Sequence, residues 1–481
     1  MYPDPIAPVE PRESQYGVEP QYVRKRAAQL KGMTSIGLRD LIPDFPPVIY
    51  PNGQRERIIR ENTEAALSRI DLSKIKPGHT VNILASHHGF TLLGGKPYAE
   101  MLRTIKDVVE RETQAKEVRL RAGLGMRFRE TEEYIKAHGL DEHFKGKALG
   151  IAPIDAGIPI ETKLGTLYGL RKAYDADIII HAHNSDVREV HFHRHVDRAV
   201  KPFGMSYARC ETRSTYHMNL GPRAAYFVAR AIFDSDFVQS KYGFSVFQIM
   251  SPVGVVTVDA DNDLYALSER VAVGGLKYYG KIINLSGGID KCIAVLDFPC
   301  PVPYVFAAGV IYANMVCANV DTFDLDNPLP PYTWYTETFY DDHGRRLIPE
   351  IPPVNPAIKM VVHNYAWTGY PATFFAEQTP TIMVGREQAE HFNRDPMNLN
   401  YMKHAVLAEN LDAAMEFAYH TAKTDKVIIF DGATGGVNVS RALADHLKEV
   451  APALNGKVDN VLMPKWLAQR NLDAKLLEKA E

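Results

Sequence analysis

The chain has 481 residues, a formal net charge of −3 at pH 7 and a hydrophobic share of 46%. That length exceeds what one compact core holds, so we expect two domains. The hydrophobic share is ordinary for a globular protein and argues against a disordered or fibrous chain. The slightly negative charge argues against nucleic acid as the main partner, because neutralising phosphates needs a basic surface.

The cysteines and the apolar segments indicate a cytoplasmic protein. The four cysteines are widely spaced and form no C-x-x-C pair, which predicts reduced thiols (Cys210, Cys292, Cys300 and Cys317). The first 22 residues carry proline and charge without the apolar core of a signal peptide. The most apolar run, 305–320, is shorter than the about 20 residues that span a bilayer, so we expect a buried helix there and no membrane partner.

The predicted elements of the first half alternate between strands and helices. A proline-rich arm is predicted over residues 1–35, and it favours self-association as a homo-oligomer. Strands are then predicted over 81–86, 117–121 and 177–180. A helix over 97–112 follows the first strand, because its apolar residues recur at the spacing of one helix face. This order predicts a mainly parallel sheet covered by helices.

The second half continues in the same way. After a helix over 222–233, the pattern predicts strands over 245–249, 253–258, 358–363 and 426–430. A proline-rich and aromatic stretch over 324–356 predicts a long surface excursion or lid. A long amphipathic helix is predicted over 402–423, and the glycine-rich stretch 431–436 is predicted to join a strand to a helix that begins near Val439.

These elements predict an α/β protein with two α/β domains, mainly parallel sheets and an active-site cleft between the domains. The predicted limits are an arm over 1–35, a first domain over 36–230, a second domain over 231–455 and a tail over 456–481.

Histidines are concentrated after the strand predicted at 177–180. Six of the 17 histidines of the chain lie within this short region: His181, His183, His191, His193, His195 and His217. Neutral imidazole is a common metal ligand and a natural general base near neutral pH. Any one of them is more simply a solvated or interface-lining histidine. The set follows the carboxyl end of a strand, however, where α/β sheets bind ligands, and this favours a functional site.

A second pair of histidines, His87 and His88, follows the strand predicted at 81–86. Adjacent residues in a strand point to opposite faces, so one of the two is expected to reach a site at this edge. We expect it to be His88.

The segment from His191 to Gly204, followed by Glu211-Thr212 and His217, resembles the nickel-pincer lactate racemase family. In that family a catalytic histidine precedes, by ten residues, a lysine that carries the cofactor, and a nickel-binding histidine follows about sixteen residues later. His191, Lys201 and His217 reproduce both intervals. The resemblance implies an isomerase with catalytic His88 and His191, cofactor-bearing Lys201 and metal-binding His217.

Other segments resemble the family more loosely. Ala85-Ser86-His87-His88 is similar to its Ala-Thr-Gly-x-His strand end, and Gly157–Glu161 to its Gly-x-Pro-x-Glu. Gly369-Tyr370-Pro371 with Gln378 implies that Tyr370 and Gln378 contact substrate. Arg198 is a candidate for holding the substrate carboxylate. Gly435 and Gly436 are candidates for contacting the nucleotide phosphate through their backbone, although an ordinary tight turn is an equal interpretation.

Some of the family's motifs are absent. The Gly-Gly-Arg-Lys before the cofactor position is replaced, and an alignment on Ala-x-x-Pro would place Arg198 where the lysine belongs. The Asp-x-Thr-Arg-Pro motif is not found, and Thr381 stands where a second lysine is expected. The chain therefore resembles a remote member with a different substrate.

The sequence thus predicts a racemase or epimerase of a 2-hydroxy acid, such as a sugar acid, that transfers hydride to and from a nickel-pincer nucleotide. Two alternatives stay open. One is a zinc-type hydrolase or lyase that uses His181-x-His183 with Asp186 or Glu189. The other is a binding or scaffold protein that has lost the cofactor, which Arg198 at the lysine position would favour.

Overall fold

The computed structural model describes residues 2–5, 25–50, 56–91, 93–123, 130–185, 199–215, 225–251, 253–297, 321, 323–326, 354–365, 373–395, 398, 400–431, 433 and 435–476. The chain forms two compact units. Unit 1 contains residues 1–45, 187–194 and 275–473. Unit 2 contains residues 46–186, 195–274 and 474–481.

Unit 2 is built on a six-stranded sheet with the order β4-β3-β2-β7-β8-β9. Every neighbouring pair is parallel except β8 and β9, which are antiparallel. In the central pair, Leu84 of β2 lies opposite His181 of β7. The strands are β2 (Thr80–Ser86), β3 (Glu117–Gly123), β4 (Ala148–Ile151), β7 (Ile178–Ser185), β8 (Tyr242–Ser251) and β9 (Gly254–Asp261).

Helices and one hairpin complete unit 2. The hairpin pairs β5 (Gly157–Thr162) with β6 (Gly165–Leu170). Helix α4 begins after Gly95, whose φ of 76° only glycine adopts readily, and has Pro97 in its first turn. The helices are α2 (Glu56–Leu67), α3 (His87–Thr91), α4 (Lys96–Thr113), α5 (Glu130–Ala137), α6 (Leu140–His143), α7 (Arg171–Tyr174), α8 (Lys201–Gly204), α9 (Cys210–Ser214), α10 (Ala225–Phe233) and α11 (Asp236–Lys241).

Unit 1 has a seven-stranded sheet with the order β1-β15-β14-β10-β11-β12-β13. The five strands from β14 to β13 are parallel, and β15 is antiparallel to both β14 and β1. The strands are β1 (Met33–Gly37), β10 (Cys292–Leu296), β11 (Ile358–His363), β12 (Thr381–Val384), β13 (Ala405–Ala408), β14 (Val427–Phe430) and β15 (Gly436–Ser440).

The helices of unit 1 pack on this sheet. Leu411, Ala414, Met415 and Ala418 of α15 form one buried face against Val295 and its neighbours. This spacing gives the helix one apolar side. The helices are α1 (Leu38–Leu41), α13 (Thr373–Gln378), α14 (Arg386–Asn393), α15 (Leu411–Ala422), α16 (Arg441–Lys457) and α17 (Met463–Ala468). A further helix, α12 (Leu264–Gly287), contains the boundary between the units.

The predicted fold class is confirmed, since both sheets are mainly parallel and carry helices. The strands predicted at 81–86, 117–121 and 358–363 and the helix at 97–112 are present. The helix predicted at 402–423 is wrong in its first part. Residues 405–408 form the edge strand β13, and the helix begins only after Asn410, whose side chain accepts a hydrogen bond from Ala413 N.

The predicted domain limits do not coincide with the two units. Strands β8 and β9 lie beyond the limit at residue 230, yet they continue the sheet of unit 2 through hydrogen bonds with β7. Residues 33–37, part of them in the predicted arm, form a strand of the sheet in unit 1. The predicted cleft between the domains stays a prediction, and most of the predicted lid at 324–356 lies outside the described residues.

Within the described part of the chain, no helix combines the length and apolar character needed to cross a membrane. The apolar run 305–320 lies outside that part.

Candidate functional site

His87 and His88 lie where β2 ends in unit 2. Strand β2 stops at Ser86, so the two histidines open helix α3 rather than close the strand. The end of β2 agrees with the strand predicted over 81–86, although the two histidines continue into a helix. His87 is 4% exposed, whereas His88 is only half-buried. His88 is therefore the more accessible of the two, and its place in a site stays a prediction.

Tyr98 of α4 fixes the chain at this point. Its hydroxyl accepts a hydrogen bond from Ser86 N at 3.2 Å and donates one to Ala182 O at 2.8 Å. Gly89 lies against the ring, and a Cβ on Gly89 would come within 2.4 Å of it. Burial raises the pKa of the Tyr98 hydroxyl above its ordinary value, so it stays neutral. Tyr98 thus links Ser86, the last residue of β2, to Ala182 of β7 through its hydroxyl.

His181 of β7 is fully buried and uses both ring nitrogens within the fold. Nε2 donates to Ala199 O at 2.9 Å, since a carbonyl can only accept, and Nδ1 lies 3.2 Å from the Tyr207 hydroxyl. Burial lowers the pKa of His181 to about 4, so the imidazole is neutral at physiological pH. His181 therefore anchors residues 199–207 to the sheet. This disfavours the zinc alternative, in which His181 and His183 both bind the metal.

His183 lies two residues after His181, on the same face of β7, and is surrounded by aromatic rings. It is 4% exposed. Its ring stacks on that of His181 with centroids 5.4 Å apart, and the Phe247 ring lies edge-on at 5.1 Å. His183 thus belongs to a packed layer on the sheet.

Lys201 begins helix α8 in the segment that His181 anchors. The residue is only 7% exposed. Phe203 of the same helix lies with its ring 5.2 Å from His181, and the Tyr207 hydroxyl donates to Leu84 O of β2 at 3.1 Å. The segment therefore lies over β7 at His181 and over β2 at Leu84. That Lys201 and His88 share one site stays a prediction.

The other predicted site residues of this region lie outside the described residues. They are His191, Arg198 and His217, and Tyr370 of the second half is outside as well. Their roles stay predictions. Among the residues that the structure describes, no three His, Cys, Asp or Glu side chains are grouped so as to hold a metal ion.

Gly435 and Gly436 lie in unit 1, in a connection that differs from the predicted one. They join strand β14 to the antiparallel strand β15, and helix α16 begins only at Arg441. The stretch is therefore a turn between strands, and the expectation of a strand-to-helix turn is wrong. Gly435 has φ of 77°, and its carbonyl accepts from Leu38 N at 2.9 Å. Without a helix N-terminus beside it, phosphate binding by this turn lacks its expected geometry.

Gln378 is the last residue of α13 in unit 1 and is exposed. Its side-chain oxygen accepts a hydrogen bond from Val354 N at 3.4 Å. Thr381, which stands where the family has a lysine, begins strand β12, and its hydroxyl donates to Thr379 O at 2.8 Å. The role of Gln378 toward substrate stays a prediction.

An amide pair that the sequence analysis missed lies at the carboxyl ends of β7 and β8. Gln248 Nε2 donates to Asn184 Oδ1 at 2.7 Å, and both residues are fully buried. Asn184 Nδ2 and Gln248 Oε1 have no hydrogen-bond partner among the described residues. Such buried groups are uncommon and mark a place that accepts a polar partner. The signal in the sequence was Asn184 itself, which directly follows His183.

A second missed group is a buried acid cluster in unit 1. Asp297 follows β10 and Asp431 follows β14, and these two strands are adjacent. Asp297 is fully buried and accepts hydrogen bonds from Arg26, Ala27 and Asn364. Asp431 accepts from Asn438 at 2.8 Å. The sequence signal was an aspartate directly after each short apolar strand.

No protein-family model and no curated protein sequence matches the chain significantly. Solved structures similar to it include the following two. The lactate racemase apoprotein from Thermoanaerobacterium thermosaccharolyticum is 12% identical, with 78% of this chain and 92% of that chain covered and a TM-score of 0.40. A Thermotoga maritima protein solved by the Northeast Structural Genomics Consortium is 12% identical, with 75% and 83% covered and a TM-score of 0.38. Both are remote structural likenesses.

Proposed function

We propose that this chain is a racemase or epimerase of a 2-hydroxy acid, of the sugar-acid class, that uses a nickel-pincer nucleotide. The spacing of His191, Lys201 and His217 supports this proposal. The observation that carries it is the burial of Lys201 in a segment that is hydrogen-bonded to His181 of β7, the strand beside β2, which His88 follows.

The described residues fit such a cofactor in their chemistry. Lys201 has the primary amine that a covalent link requires, and lysine is seldom buried in proteins without a specific reason. Asn184 and Gln248 add a buried donor and a buried acceptor at the carboxyl edge of the same sheet. We assign nickel coordination to His217, since imidazole suits this metal.

The chain itself supplies the acid/base groups and the orientation. When bound, the cofactor supplies a hydride acceptor that no amino-acid side chain provides. His88 takes the proton of the substrate hydroxyl on one face, and His191 serves the mirror-image substrate on the other. Imidazole ordinarily titrates near ambient pH, so each histidine can take and return a proton. Arg198 holds the substrate carboxylate, and Tyr370 and Gln378 contact the substrate.

Mass spectrometry of the intact protein, together with metal analysis, tests this proposal. The protein is expressed alongside cofactor-synthesis proteins, and we expect nickel together with a mass increase on the peptide that contains Lys201. Lys201→Ala removes the adduct. The matched control is Lys172→Ala, because the Lys172 side chain is 55% exposed and pairs with Asp175 on the surface. An adduct that persists in Lys201→Ala contradicts the assignment.

The same measurement separates the alternatives. Zinc without added mass would support a hydrolase or lyase, and neither metal nor added mass would support a scaffold protein. The loaded protein is then incubated with single enantiomers or epimers of 2-hydroxy acids, and the product is resolved by chiral chromatography. We expect His88→Ala to lose turnover while the adduct on Lys201 remains. Full turnover in His88→Ala would exclude the proposed catalytic role.

A further inference from the structure

The edge strand β13 of unit 1 differs from the other sheet edges. It pairs with β12 on one side, and no described residue pairs with its other side. Two of its four residues are large, apolar and exposed, since Val406 is 52% and Leu407 is 45% exposed. On α15, which contacts this strand, Phe417 is 48% exposed. An open apolar edge of this kind is a template for pairing with another strand.

At the other edges of the two large sheets, described residues make covering contacts. At the opposite end of the same sheet, the side chains of Thr34 and Ser35 in β1 donate to the carbonyls of Pro3 and Asp4. In unit 2, β9 is met by Ile49 and Tyr50, whose backbones exchange hydrogen bonds with Val255. Helix α5 packs on β4 at the remaining edge. Among the edge strands of the two large sheets, β13 is therefore the one that carries large exposed apolar side chains in the described part of the chain.

The backbone of β13 is oriented for pairing. The carbonyl of Ala408 accepts from Gly385 N at 2.9 Å and so points toward β12. Because successive residues of a strand direct their backbone groups to opposite sides, those of Ala405 and Leu407 face the open edge. An antiparallel partner strand can form hydrogen bonds with the backbone N–H and C=O groups of both residues.

The charges around β13 favour a second copy of the same strand. Lys403 and His404 precede the strand, Glu409 follows it, and all three are exposed. In an antiparallel pair of identical strands, the basic end of each copy meets the acidic end of the other. A two-fold axis at Val406 satisfies this arrangement and places Leu407 of one copy opposite Ala405 of the second copy.

We propose that two copies of this chain associate through β13, in antiparallel register about Val406, and so join their seven-stranded sheets into one continuous sheet.

Sedimentation over a range of protein concentrations tests this interface. We expect a dimer for the unaltered protein, and Leu407→Lys should raise the dimer dissociation constant by at least about tenfold, because it buries like charges near the two-fold axis. Val461→Lys is the matched control, since Val461 is an apolar residue of unit 1 that is 60% exposed and belongs to no strand. It should leave the dimer unchanged. A monomer at every concentration, or a dimer that survives Leu407→Lys, overturns the proposal.

Charge exchange tests the antiparallel direction. Lys403→Glu and Glu409→Lys alone should each weaken the dimer, and the double variant should restore it. All of these positions are on the surface, so circular dichroism should show an unchanged fold. If the double variant is as weak as the single variants, the two ends do not face each other and the antiparallel direction is wrong.

A cysteine substitution tests the register. Val406→Cys in a Cys210→Ser background, which removes an exposed thiol, should form a disulfide-linked dimer on oxidation. Val461→Cys in the same background should remain monomeric on a non-reducing gel. Equal cross-linking of both variants would exclude the proposed axis.

Discussion

Arg26 and Asp297 form a buried ion pair that holds the chain before β1 to the sheet of unit 1. Arg26 Nε donates to the Asp297 carboxylate at 3.1 Å, with the two side chains 12% and 0% exposed. A second guanidinium nitrogen of Arg26 donates to the Asp297 carbonyl at 2.7 Å. Burial raises the pKa of Asp297, and the positive charge of Arg26 opposes that shift. The pair therefore depends on both partners.

The first prediction concerns this pair. Arg26→Ala leaves a buried carboxylate without the guanidinium charge and should lower the free energy of unfolding by about 3–5 kcal/mol. Urea denaturation followed by circular dichroism measures the loss. The control is Lys25→Ala, which removes a pair with Asp412 whose side chains are 41% and 63% exposed, and should cost less than about 1 kcal/mol. Equal losses of unfolding free energy in the two variants would mean that the burial of Asp297 does not raise the cost of removing its partner.

The second prediction is a pH dependence from Asp431. Burial raises the pKa of Asp431 from 3.8 to about 6, although a hydrogen bond from Asn438 opposes the shift. The folded state therefore holds this proton more tightly than the unfolded state. The stabilisation is complete below about pH 4 and is lost as the pH rises through about 6, a change of roughly 3 kcal/mol.

Asp431→Asn should remove this dependence. From pH 4 to pH 7, the unfolding free energy of the variant should rise relative to that of the unaltered protein. Asp324→Asn serves as a control of opposite sign. Burial raises the pKa of Asp324, but hydrogen bonds from Gln469 and Lys465 outweigh it and lower the pKa to about 2. Its stabilisation is lost as the pH falls below about 4, so its difference curve should be flat from pH 4 to pH 7 and should slope in the opposite sense below pH 4.

The third prediction concerns the turn that carries His88. Gly89→Ala places a methyl group within 2.4 Å of the Tyr98 ring and should cost about 1–3 kcal/mol of unfolding free energy. Thermal or urea unfolding measures the change. Gly274→Ala is the matched control, because this helical glycine of α12 has no neighbouring atom within 4 Å of a Cβ, and alanine there should stabilise by about 0.5–1 kcal/mol. An unchanged unfolding free energy in Gly89→Ala would show that the helical turn around residue 89 shifts to make room for the added methyl group.

The fourth prediction assigns a positioning role to His181. His181→Phe removes the donor to Ala199 O and should cost about 1–3 kcal/mol. Because His181 anchors the segment that begins α8, the yield of adduct on Lys201 should fall as well. His183→Phe, in the same aromatic layer, should keep the adduct. A full adduct yield in folded His181→Phe would show that this anchor does not position Lys201.

Much of the fold could be predicted from local pattern. Strand β11 begins and ends at the predicted residues, and α4 differs from its prediction by one residue at each end. Both have strong apolar periodicity. The segment 402–423 failed because its apolar spacing resembles a helix, whereas its first part pairs with β12 as strand β13 and the cap at Asn410 starts the helix only afterwards. Helix α12 was not predicted, since glycines interrupt its pattern; Gly280 makes room there for the Trp466 ring.

The candidate site could be predicted only in part, because tertiary partners decide what each histidine does. His181 was a candidate metal ligand on the basis of its position after a strand. The structure gives it a hydrogen bond across the fold to Ala199 O, and no local pattern indicates that contact. His88 directly follows the end of β2, where the rule for parallel sheets expects functional groups, and its approach to Lys201 stays a prediction.

The pairing of β1 with β15 has a consequence for folding during synthesis. Strand β1 (residues 33–37) can pair with β15 only after residues 436–440 have been made, and only then can the sheet of unit 1 be completed. All strands of the unit 2 sheet, in contrast, have been made once Asp261 leaves the ribosome. Unit 2 is therefore expected to acquire its structure first, while the early strand β1 stays without its partner until residues 436–440 have been made.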